Sequence, residues 1–268
     1  MLTFASICPH PPIIIPSIGS KSDLKKVKKT IESLEILRKI FEDRKPETLL
    51  IISPHGPVGF KEMTLIINEE LSGDFSNFGD SVSHFSFKNN SKICKKIEKE
   101  CFKRKIPFRI YRAYTSPVLD HGVLVPLYYL TKNQKPKIVP LNYSLLDSSW
   151  HFIFGEFLGE IIKEEKEKIG IIASGDLSHC LSPEAPAGYS PSGEKFDNDL
   201  IEFLKKNDIQ NILNMDPNFV REAGECGYRS IIILLGVLSK IGISNPQFEF
   251  LSYEKPFGVG YLVGYYAI

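Results

Sequence analysis

Short apolar runs punctuate the chain, and they are continuous rather than alternating: LTFASIC (2–8), TLLIIS (48–53), FRIYRAY (108–114), KIVPLNY (137–143), IGIIAS (169–174) and VGYLVGYYAI (259–268). A strand wetted on one side alternates apolar and polar positions, so these runs predict strands covered on both faces. Between them the hydrophobic period lengthens. In 22–45, Val27, Ile31, Leu34, Leu37 and Phe41 recur at three and four residues, with Ser22 or Asp23 placed to cap the start and lysines on the remaining face. The 90–105 segment repeats the design with Ile93, Ile97 and Cys101, and 121–130, 150–165, 196–206 and 228–242 are further predicted helices.

Strands alternating with helices predict an α/β fold. The expectation is one domain over 1–268, with a central, largely parallel or mixed sheet, helices on both faces, and any site at the carboxyl ends of the strands. Two stretches are expected to be loops. Residues 56–90 have room for a hairpin around MTLIINEE, and 182–197, SPEAPAGYSPSGEKFD, carries enough Pro and Gly to predict irregular backbone and a lid beside a strand end.

Composition narrows the class of partner. A formal net charge of +1 argues against nucleic acid or an acidic membrane surface, and points to a small molecule. Five scattered cysteines with no CxxC pair exclude a zinc ribbon and fit reduced thiols. Pro9, Pro11 and Pro12 interrupt the N-terminal apolar run, and no run approaches the roughly 20 residues that span a bilayer, so a soluble cytoplasmic protein is expected.

The candidate chemistry lies in the histidines. Of six, His10, His55 and His179 follow predicted strands, and His121 lies just before a predicted helix. Ligands of open parallel sheets bind at strand carboxyl ends, so these four point to one site. His84, in a polar stretch, and His151, at a helix start, read as structural. Imidazoles with a carboxylate suit Fe(II), Mn or Zn, and the notable distant acid is Glu225 in REAGECGYRS, flanked by Gly224 and Gly227. Glu225 has an alternative duty, capping the following helix through its dipole. Asp120 beside His121, and Asp176 beside His179, are candidates to orient a general acid or base. There is no GxGxxG, no GxxxxGK[ST] and no GxSxG, which removes support for dinucleotide, P-loop and serine-hydrolase readings.

Taken in order, CPHPPIIIP, SPHGP, LDHGVLVPLYYL, SGDLSH with AGYSPSGEKFD, and AGECGYRS resemble the motifs of class III extradiol ring-cleavage dioxygenases, the LigB-type catalytic-subunit family. The likeness runs from the first strand to the last. It is nearest to the branch associated with AMMECR1 domains and shared with Memo proteins.

The resemblance implies a metal on His10, His55 and Glu225, with Cys226 as the alternative corner because Memo relatives carry a cysteine in a similar context. It implies His179 as acid/base and His121 as a second pocket histidine. The implied cofactor is Fe(II), or Zn or Cu if a thiolate ligates. The implied reaction is ring opening of a catechol-like aromatic by O2, and the alternative is a Memo-like metal-binding protein working with an AMMECR1-type partner without ring cleavage. A homodimer is among the expected assemblies.

Overall fold

Eight strands hydrogen-bond into one sheet in the computed structural model, which describes residues 1–115, 118–242 and 246–268. In chain order the strands are β1 (Leu2–Cys8), β2 (Thr48–Ser53), β3 (Met63–Ile66), β4 (Glu70–Phe75), β5 (Asp80–Lys88), β6 (Phe108–Tyr111), β7 (Lys137–Asn142), β8 (Ile169–Ser174), β9 (Gln247–Glu254) and β10 (Tyr261–Ala267). The main sheet runs β6-β3-β7-β2-β8-β1-β10-β9, while β4 and β5 form a separate antiparallel hairpin. Strands β7, β2, β8 and β1 are mutually parallel, and β3 and β10 flank them antiparallel, so the sheet is mixed.

The continuous apolar runs are explained by two cores. Successive strand residues point to opposite faces, and Leu50 and Ile52 enter one core while Leu49 and Ile51 enter the other. Helices Ser91–Arg104, Ser148–Glu164, Pro191–Lys206 and Tyr228–Ile241 cover the first face. Helices Lys28–Arg44 and His121–Leu130 cover the second. Each fully buried Leu or Ile stabilises this layering by about 1.5–3 kcal/mol.

Several expectations are corrected. The helix expected over 22–45 divides at the buried Val27, whose φ of −107° and ψ of 21° leave helical geometry. Its cap is Ser20, in a reciprocal box with Asp23. MTLI joins the main sheet as β3, and the hairpin forms downstream, from β4 and β5. The expected loop 182–197 ends early, because Pro191 opens a helix capped by Ser190: at the first helical position its missing N–H costs nothing. What remains of that loop is tied down by Ala187 N to His179 O (3.2 Å) and Ser190 N to Cys180 O (3.0 Å). Among the described residues, no helix is long and apolar enough to cross a membrane.

Candidate metal centre

Strands β2, β8 and β1 are adjacent and parallel, so their carboxyl ends deliver His55, the Asp176–His179 turn and His10 to one edge of the sheet. Helix His121–Leu130 starts at the same place. The fifth contributor, 223–228, reaches it through a close backbone crossing: a β-carbon on Gly175 would fall 2.1 Å from the Cα of Gly227. Glycine at both positions lets the segments touch. The amides of Cys226 and Gly227 donate to Asp176 O at 3.3 and 2.9 Å, and Asp176 N donates to Cys226 Sγ at 3.2 Å.

The crossing sends Cys226 to the histidines. Its Sγ lies 3.5 Å from His10 Nε2 and 3.8 Å from His179 Nε2, and His10 Nε2 lies 2.9 Å from His55 Nε2. His10, His55 and Cys226 thus offer three donor atoms within 4.8 Å of one another. That span suits one shared ion with bonds of about 2.0–2.3 Å. His10 and Cys226 are buried, whereas His55 opens to solvent along one edge.

Glu225, the acid expected to ligate, is directed away from this cluster. Its carboxylate accepts Tyr228 N at 2.5 Å and faces Arg229 at 3.7 Å. Neighbours at a helix start diverge, and Cys226 takes the inward direction. Burial pushes the Glu225 carboxyl up to about 7.

The other expected residues gather here, with altered partners. His121 stacks on His55 with ring centroids 4.1 Å apart, and Phe78 meets it edge-on at 5.0 Å. Burial lowers His121 to about 4 and also lowers His179, which favours the neutral form of both imidazoles. Burial, then the neighbouring imidazoles, pushes His10 well down, and burial pushes the Cys226 thiol well up.

Asp120 does not hydrogen-bond His121 as expected. As cap of its helix it accepts Val123 N at 3.3 Å and Ser53 Oγ at 2.6 Å. Asp176 likewise serves His10 rather than His179, accepting His10 N at 2.9 Å. Burial raises Asp176 to about 7.

Three residues escaped the sequence reading. Ser174, the last residue of β8, meets His10 Nδ1 at 2.9 Å and donates to Gly122 O, so it orients the imidazole as the outer partner of a metal-bound histidine would. Its signals were a lone serine ending an apolar strand and its place at the head of SGDLSH. Buried Asp197 accepts Ser178 N at 2.8 Å and Tyr253 OH at 2.5 Å, while Ser178 Oγ donates to Ala223 O at 2.7 Å. These bonds pin both neighbours of the site, the His179 turn and the strand of backbone before Cys226. Phe78 comes from the hairpin, which the pattern misplaced. His151 has the structural role expected, with Nδ1 2.7 Å from Asp147 O.

A mixed α/β sheet with an imidazole–thiol cluster at the ends of its parallel strands defines a class of metal-capable α/β protein. Within it the chain belongs to the LigB family, matching the model described as catalytic LigB subunit of aromatic ring-opening dioxygenase over residues 4–264. It is 37% identical over 262 residues to protein CA_C1420 of Clostridium acetobutylicum, covering 95% of this chain but 55% of that one, little more than half its length. It is 24% identical over 216 residues to a 4,5-DOPA dioxygenase extradiol of Mirabilis jalapa, covering 77% of each. It is 23% identical over 248 residues to a MEMO1 family protein of Methanococcus maripaludis, covering 81% of this chain and 82% of that one. In fold it resembles the uncharacterized protein JW3007 of Escherichia coli K12, with a TM-score of 0.67 at 15% identity over 99% of this chain and 100% of that one.

Proposed function

We propose that this chain is a metal-binding protein of the MEMO1-like kind, holding one transition metal on His10, His55 and Cys226 rather than on His10, His55 and Glu225. The observation that carries this reading is the 3.5 Å between Cys226 Sγ and His10 Nε2, while the Glu225 carboxylate is engaged by Tyr228 N and Arg229. A thiolate favours Cu or Zn, and the family supports Fe(II). When bound, such a metal supplies a Lewis acid with open positions.

The protein's own groups do the rest. Ser174 orients His10, the Asp176 amide donates to the Cys226 sulfur, and His121 and His179 stand as neutral imidazoles able to bind or move a substrate proton. The five buried, free cysteines fit a cytoplasmic protein. The 55% span of the Clostridium relative fits work alongside a companion module, of AMMECR1 type in this reading.

Metal analysis of protein purified without added metal, in wild type, Cys226→Ser and Glu225→Gln, tests the proposal. Metal lost in Cys226→Ser and kept in Glu225→Gln is the expected result; the reverse pattern overturns it. A second reading is extradiol opening of a catechol-like aromatic by O2 at Fe(II), favoured by the two neutral imidazoles at the open side and by the Mirabilis relative. Its test is oxygen uptake and yellow product across a catechol panel after anaerobic Fe(II) loading. No uptake with iron bound rejects it.

A further inference from the structure

Behind the metal centre, on the side to which Glu225 turns, lies a cavity of about 730 Å³ between the start of helix Ser148–Glu164 and the 213–229 segment. This is within the roughly 300–1,000 Å³ of small-molecule sites. We propose that it binds a small monocarboxylate with an apolar body, anchored on Arg229.

The polar groups of the cavity are nearly all spoken for. Asp147 accepts Ser149 Oγ at 2.6 Å and Trp150 N at 3.2 Å, and Arg221 donates to Asn218 Oδ1 at 2.8 Å. Arg229 is the exception. Among the described residues its guanidinium donates no hydrogen bond, and its one ionic neighbour, Glu225, is 3.7 Å away, beyond hydrogen-bond length. The side chain is 29% exposed and lies over the Tyr143 ring, 5.7 Å from its centroid, which holds the fork in place.

Paired with Glu225 only at 3.7 Å and held over Tyr143, the guanidinium keeps its hydrogen-bond donors for a planar anion with two acceptor oxygens. A single guanidinium balances one negative charge, and the buried acid Glu225 beside it opposes a second, which favours carboxylate over a phosphate monoester. Leu146, Leu213, Met215 and Val220 line the remainder, so the body of the ligand is apolar. This site is independent of the metal: Cys226 faces one way and Glu225 the other.

Calorimetric titration of the protein as purified with hexanoate, hexyl phosphate and hexylamine tests the proposal. Hexanoate is expected to bind saturably at one site, more tightly than hexyl phosphate, with hexylamine inert. Arg229→Ala should weaken hexanoate about tenfold or more, the scale of a charge-assisted pair. Leu145→Glu, at an exposed lining position, adds a negative charge at the mouth and should weaken it several-fold without disturbing the core. Hexanoate affinity should be the same before and after dialysis against a chelator. The proposal is overturned by absent hexanoate binding, by tighter phosphate or amine binding, by affinity unchanged in Arg229→Ala, or by loss of binding after the chelator, which would put the anion on the metal.

Discussion

Gly175 and Gly227 cross so closely that neither can carry a side chain without moving the backbone of the other; a β-carbon on Gly175 would sit 2.1 Å from the Cα of Gly227. The contact joins the turn after β8 to the segment holding Cys226. It therefore sets the reach of the sulfur towards His10.

Gly175→Ala should separate those segments. The clash is with backbone, which cannot rotate aside, so we expect a fall in stability of about 1–3 kcal/mol, as for other overpacked sites, and loss of bound metal from the protein that still folds. Thermal melts and metal stoichiometry on the same sample check both. Wild-type metal content in this variant would mean that the crossing does not position Cys226.

Ser174→Ala leaves all three donors in place and removes the partner of His10 Nδ1. Metal affinity should drop about 10–100-fold, the usual effect of deleting an outer hydrogen bond to a ligating imidazole. Competition against a chromogenic chelator measures it; unchanged affinity would make Ser174 a bystander.

His179→Gln should keep the metal and lose chemistry. With Nε2 3.8 Å from the sulfur, His179 borders the cluster without completing it. Metal content at the wild-type level, with metal-dependent turnover reduced about 10²–10⁴-fold, is the expected pair of results. A variant that cannot hold metal would make His179 a ligand instead.

Asp197 should leave a mark on the pH dependence of stability. Burial raises its carboxyl to about 6 from an ordinary value of 3.8, so the native state holds the proton more tightly than the unfolded chain. Its contribution is then fully present below about pH 4 and is lost as pH rises through about 6. Asp197→Asn should erase this trend: relative to the variant, wild type gains about 1–3 kcal/mol between pH 7 and pH 4. Denaturant melts across that range check it, and parallel curves for the two proteins would refute the assignment.

What the sequence disclosed follows from how strong each local signal was. TLLIIS and IGIIAS match β2 and β8 residue for residue, because strands buried on both faces leave an unmistakable apolar run. Strand β9 escaped because QFEFLSYE, at the sheet edge, buries just Phe248 and Ser252 fully and carries charge between. The short helices Ile209–Leu213 and Pro217–Ala223 are too brief to display a period. The four histidines were legible as one group since each ends a strand or opens a helix. The choice between Glu225 and Cys226 was not: it depends on a one-residue phase fixed by the Gly175–Gly227 crossing, a contact between segments some fifty residues apart.

Of the three clustered donors, His10 and Cys226 are 1% and 8% exposed, and His55 is the one open to solvent. An ion on the proposed centre would therefore meet solvent at His55 and protein at His10 and Cys226, so its exchange would begin at the exposed imidazole and need no opening of the core.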